Sequence, residues 1–143
     1  MLRPTSTPMA DFFERYLSIR QHVLVRFGKW HEIIAQSLPD DRALYCNTVA
    51  MMHYAKGVAH AALGPVPDAE AEQALFRAAV PRVPASRYLH NAPCQDLLAI
   101  AEQMLEGEIA YRRGEYPAAF ARLRAAIALE DALPYDEPWG WMQ

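Results

Sequence analysis

The stretch that decides the fold is Gly107–Asp131, GEIAYRRGEYPAAFARLRAAIALED. Gly114-Glu115 breaks one helical pattern and opens another. Beyond it, Tyr116, Phe120, Leu123 and Ile127 recur at spacings of four, three and four, the period of one apolar helix face. Two helices joined by so short a turn lie antiparallel. The small residues have separate jobs. Gly107 lets the two helices approach closely, Gly114 takes the left-handed conformation that ends the first, and Ala119 faces the first helix across the hairpin.

Working outward, Gly57, Gly64 and Ala69 repeat the spacing of Gly107, Gly114 and Ala119 at an offset of 50 residues. A weaker copy keeps Gly28, Trp30 and Ile33. In the second copy Gln73 stands where Leu123 stands in the third.

These residues resemble the tetratricopeptide repeat, a helix–turn–helix unit of about 34 residues. Gly107, Gly114, Tyr116, Ala119, Leu123 and Ala126 fit its spacing. The excess in the 50-residue offset falls in a proline-rich loop. The strings VLVRFGKWHEII and ALEDALPYDEPWGWMQ are similar to segments of larger bacterial proteins of this type, in which further repeats follow the second string. The resemblance implies an all-α chain of antiparallel helical hairpins wound as a right-handed superhelix, with about six helices. It also implies a short or fragmentary array that is a binding or assembly surface and not an enzyme.

The rest of the sequence divides accordingly. Residues 1–8 read as a lead-in, 9–132 as the helical domain with its proline-rich loop at 81–93, and 133–143 as an aromatic, acidic tail. A first helix from about Met9 to Phe27 carries Phe12, Tyr16, Ile19, Val23 and Phe27 on its apolar face. Trp30–Gln36 is a short second helix, and Arg42–Leu63 a long third one capped by Asp40 or Asp41. A fourth helix, about Ala69–Val80, takes Asp68 as its N-cap; a fifth starts from Asn91 with Pro93 in its first turn. Tyr116–Glu130 is the sixth, and no segment alternates like a strand.

A net charge of −3 gives no basic surface for nucleic acid. No apolar run reaches the roughly 18 residues of a membrane span, and the N-terminal sequence lacks the apolar core of a signal peptide. Cys46 and Cys94 are too few for a disulfide framework, so the expectation is a cytoplasmic protein with reduced thiols.

Candidate chemistry is incomplete at each place it arises. His31-Glu32 opens a zinc-protease motif, but Ala35 stands where its second histidine belongs. Cys46, His53 and His60 recur every seven residues, about 10 Å of helix rise apart, too far to share one metal. Cys94 opens a helix with only His90 nearby in sequence, and Glu130-Asp131 with Asp136-Glu137 reads as a solvated acidic end. No cofactor or metal is expected.

The resemblance implies that the first helix of each pair lines a concave face that holds a protein or peptide. By the glycine register that face carries Met51, Tyr54 and Val58 in one helix, and Met104, Glu108, Tyr111 and Arg112 in the other. The lysine and asparagine clamp that some relatives use for a terminal carboxylate is absent, since Tyr54, Val58, Met104 and Glu108 occupy its positions. Tyr135, Trp139 and Trp141 form an aromatic end that either joins copies into a homo-oligomer or folds back as a cap.

Overall fold

The computed structural model describes residues 14–89, 91–134 and 141. Most of them lie in α1 (Arg15–Arg26), α2 (Trp30–Ala35), α3 (Cys46–Leu63), α4 (Val66–Ala79), α5 (Cys94–Arg112) and α6 (Tyr116–Asp131). The fold class is all-α, as the periodicities predict. A 3₁₀ turn at Val80–Arg82 follows α4, and β1 (Tyr88–Leu89) pairs antiparallel with β2 (Ala92–Pro93). This small ladder inside the proline-rich loop corrects the expectation of no strand. Two residues are too short to show alternation.

The α3/α4 and α5/α6 hairpins form the body. The α3 helix is central, touching α1, α2 and α5 as well as α4. It is buried almost all round, with Ala50, Tyr54, Ala55, Ala59 and Ala61 fully enclosed. Its alanines let four neighbours come close to one helix. Gly64 and Gly114 end α3 and the α5 region in left-handed backbone, at φ 117° and 80°.

The two interhelical glycines work differently. A Cβ on Gly107 would stand 2.9 Å from Leu123, the partner expected across the hairpin. On Gly57 it would stand 2.8 Å from Leu105 of the next hairpin. The Leu105 side chain reaches Gly57 from α5, whereas the position on α4 that corresponds to Leu123 in spacing holds the polar Gln73.

Helix α1 turns most of its expected apolar face outward and keeps only Ile19 of that set partly buried against the core. Tyr16, Val23 and Phe27 are exposed, whereas Glu14, Ser18, Gln21 and His22 are buried. Glu14, Gln21 and His22 each have a partner of their own kind. Glu14 Oε1 accepts the Thr48 amide at 2.8 Å, Gln21 Nε2 donates to Gln36 Oε1 at 3.0 Å, and the His22 ring meets Trp141. These specific polar contacts fix the face that α1 turns inward, with Tyr16 and Val23 left outside. Residues 9–13, including Phe12, lie outside the described residues.

Caps also differ. Asp41 Oδ1 accepts the Leu44 amide at 3.0 Å, holding a turn before α3, which begins at Cys46 and not Arg42. Pro65, not Asp68, is the N-cap of α4, and Asp68 instead faces His60 at 3.9 Å. Pro93 fills the N-cap position of α5, so Asn91 does not cap it; the Cys94 amide donates to Arg87 O at 2.8 Å. On α6 only Ala119 and Ala126 are buried, so Tyr116, Phe120 and Ile127 point outward. Ala119, Ala126 and Leu123 form the packed face, and of the four large residues only Leu123 turns inward.

Candidate functional site

Where α1 gives way to α2, the Gly28 turn at φ 62° carries Phe27 and Trp30 round to one side. They face the ends of α3 and α5. Together these elements enclose an open groove of about 600 Å³. Its walls are Val25, Arg26 and Phe27 from α1 and its turn, Trp30 from α2, Tyr54, Val58 and Ala62 from α3, and Met104, Glu108 and Arg112 from α5.

Five of the seven expected surface residues therefore come together: Tyr54, Val58, Met104, Glu108 and Arg112. Met51 does not line the groove and lies in the core. Tyr111 lies outside it, its ring 5.2 Å from that of Tyr116 and 6.3 Å from that of Phe120. Tyr54 is fully buried, so it forms floor and not a free contact. The α1 and α2 wall is absent from the sequence-derived set. Its signal was the glycine-tryptophan remnant at Gly28 and Trp30.

The electrostatics are mixed. Arg26 and Arg112 stand exposed at the rim, and Glu108 lies deeper. Burial, with the nearby Glu108 charge, holds the Tyr54 phenol protonated well above its usual range. The groove thus offers an apolar bed of Phe27, Trp30, Val58 and Met104 between cationic edges, with one acid on its floor.

Of the tail, Tyr135 and Trp139 lie outside the described residues. Trp141 is 4% exposed and belongs to the main core. Its ring meets those of His22, centroids 4.9 Å apart, and Tyr54, at 5.5 Å.

The cysteine–histidine row separates into unrelated contacts. His53 Nδ1 is 2.7 Å from Glu72 Oε2, and His60 faces Asp68. Cys46 is buried beside a smaller cavity of about 170 Å³ that also touches His53, Arg42 and Arg82. Burial, with Glu14 nearby, pushes its thiol pKa up, opposite to what a nucleophile needs. Cys94 is buried at the start of α5, and His90 lies outside the described residues. Among the described residues no three His, Cys, Asp or Glu side chains group as metal ligands, and no helix is long and apolar enough to cross a membrane.

In comparisons with known proteins, the chain matches no family model, no curated protein and no solved structure.

Proposed function

We infer that the chain is a protein-interaction module of tetratricopeptide type, not an enzyme, and that it holds an extended segment of another protein in this groove. The observation that carries the reading is the convergence of Phe27, Trp30, Val58 and Met104 between Arg26 and Arg112. Aromatic and methionine side chains give adaptable apolar contact, and a charged rim sets register. The inferred setting is the bacterial cytoplasm.

The experiment is affinity capture with the full chain against Phe27→Asp with Arg112→Glu. Both residues are exposed, so helicity should be unchanged while the captured partner is lost. Undiminished capture would reject the groove. Tyr54→Ala is unsuitable, because removing a fully buried aromatic costs about 3–5 kcal/mol of stability.

A second reading is self-assembly through α6, favoured by its exposed Tyr116, Phe120 and Ile127. An antiparallel pairing with a second copy sets Phe120 of one against Ile127 of the other, and the Tyr116 phenol against Asp131. Such an isologous contact is self-complementary. Light scattering on the full chain and on Phe120→Glu with Ile127→Lys tests it. A dimer that the variant abolishes supports the contact, and a wild-type monomer removes it.

A further inference from the structure

The groove does not end at Tyr54. The Trp141 indole stands edge-on to His22 of α1, with planes at 88°, and to Tyr54 of α3, with planes at 64°. His22 and Arg26 are four residues apart on α1, as are Tyr54 and Val58 on α3. Four residues advance a helix by about 6 Å. The indole seat and the open groove are therefore successive steps of one furrow between the same helices.

An extended segment has a matching repeat. Two residues advance it by about 6.6 Å and return the side chain to the same side. Aromatic side chains at alternate positions thus fall one per step. The tail's own sequence has this pattern in Trp139-Gly140-Trp141, behind the acidic pair Asp136-Glu137. Carboxylates placed there complement the cationic rim of Arg26 and Arg112.

We propose that the furrow accepts an extended partner segment carrying tryptophans at alternate positions behind an acidic pair, and that Trp141 is the chain's own copy of its anchor. This rests on reading the groove as a protein-binding surface. Trp141 already shows that the step at His22 and Tyr54 takes an indole. A partner segment of the same chemistry competes with the tail for that step, so the free chain binds it more weakly than a chain whose own anchor has been removed.

The test uses a labelled synthetic peptide with the sequence of residues 133–143, titrated by fluorescence anisotropy into full-length wild type and full-length Trp141→Ala. The expected result is at least ~tenfold tighter binding to Trp141→Ala, with affinity falling ~tenfold or more when both peptide tryptophans become alanine. Equal affinity for the two proteins overturns the proposal, as does no binding to a variant that keeps wild-type helicity. Should Trp141→Ala not fold, Trp141→Leu fills part of the seat and must give the same ordering; its indifference counts equally against the proposal. A wild-type dimer that Trp141→Ala converts to monomer assigns the seat to a second copy's tail and overturns occupancy within one chain. The two readings fail separately. Loss of peptide binding, with partner capture still sensitive to Phe27 and Arg112, rejects only the tryptophan anchor. Capture indifferent to Phe27 and Arg112 rejects the groove.

Discussion

Arg87 Nη1 stands 3.0 Å from Glu14 Oε2, and both side chains are almost out of water. The pair ties the loop before α5 to the start of α1 across most of the described chain. Arg87 Nη2 also donates to Leu44 O at 3.1 Å. Burial raises the Glu14 pKa, while the Thr48 amide and the Arg87 charge act against that rise.

Removing one partner leaves the other charge buried. Arg87→Met and Glu14→Gln are each expected to cost about 3–5 kcal/mol in urea unfolding. The double variant Glu14→Leu with Arg87→Met should recover most of that loss, since no charge is then stranded. Single variants within about 0.5 kcal/mol of wild type would show that water reaches the pair.

The interhelical glycines should rank in a definite order. At Gly107 an added methyl meets Leu123 and, at 3.3 Å, the Ala119 carbonyl oxygen, which the backbone cannot easily move. Overpacking of about 1–3 kcal/mol should exceed the helix-propensity gain of about 1 kcal/mol. At Gly57 the neighbour is the end of the Leu105 side chain, which can rotate. Thermal unfolding should therefore place Gly107→Ala below Gly57→Ala, by a few degrees. The reverse order would mean that Leu105 is the more tightly held leucine.

Stability should fall with acid through His22. Burial lowers its pKa from 6.5 to about 4. The unfolded chain therefore takes up a proton below pH 6.5 that the folded chain refuses until about pH 4, so stability declines as pH drops across that window. The displacement corresponds to roughly 3 kcal/mol. Glu14 has the opposite sign, because its raised pKa favours the folded state at low pH. The difference between wild type and His22→Gln in urea unfolding at several pH values isolates the histidine. Parallel curves for the two proteins would contradict its burial.

The thiols should be protected. Cys46 and Cys94 are both buried, and the Cys46 pKa is raised. A colorimetric disulfide reagent should react with the folded chain on the order of a hundredfold more slowly than with the urea-unfolded chain. Rapid reaction of one thiol in native buffer would place it at a surface.

The helices and glycine turns were legible because they depend on local chemistry. Gly28, Gly64 and Gly114 mark left-handed stops whatever surrounds them. The α3 and α5 wall of the groove followed from the same register, through Tyr54, Val58, Met104, Glu108 and Arg112. Faces were less legible than elements. On α1 the apolar period pointed to Tyr16 and Val23, yet specific partners for Glu14 and Gln21 turned the helix over. Those partners, Thr48 and Gln36, lie 34 and 15 residues away, and no local pattern announces them. On α6 the close approach at Gly107 seats Ala119, Leu123 and Ala126 at the interface, so Tyr116, Phe120 and Ile127 face out. Caps failed for a related reason. Proline at positions 65 and 93 fixes the entry backbone without needing the Asp68 or Asn91 side chain.

The inverted α1 also bears on how the furrow can change its width. Its fully buried side chains, Glu14, Ser18, Gln21 and His22, are ones that water solvates well, and its inward apolar ones, Ile19, Leu24 and Val25, are only partly buried. Mutating one partner strands a charge in the interior, but lifting the whole helix returns both charges to solvent, and the desolvation penalty is refunded. Detaching α1 therefore exposes no fully buried apolar side chain of its own, whereas detaching α4 exposes Phe76 with Ala69 and Ala79. Of the elements that line the furrow, α1 is thus the one that water can most easily wet from behind.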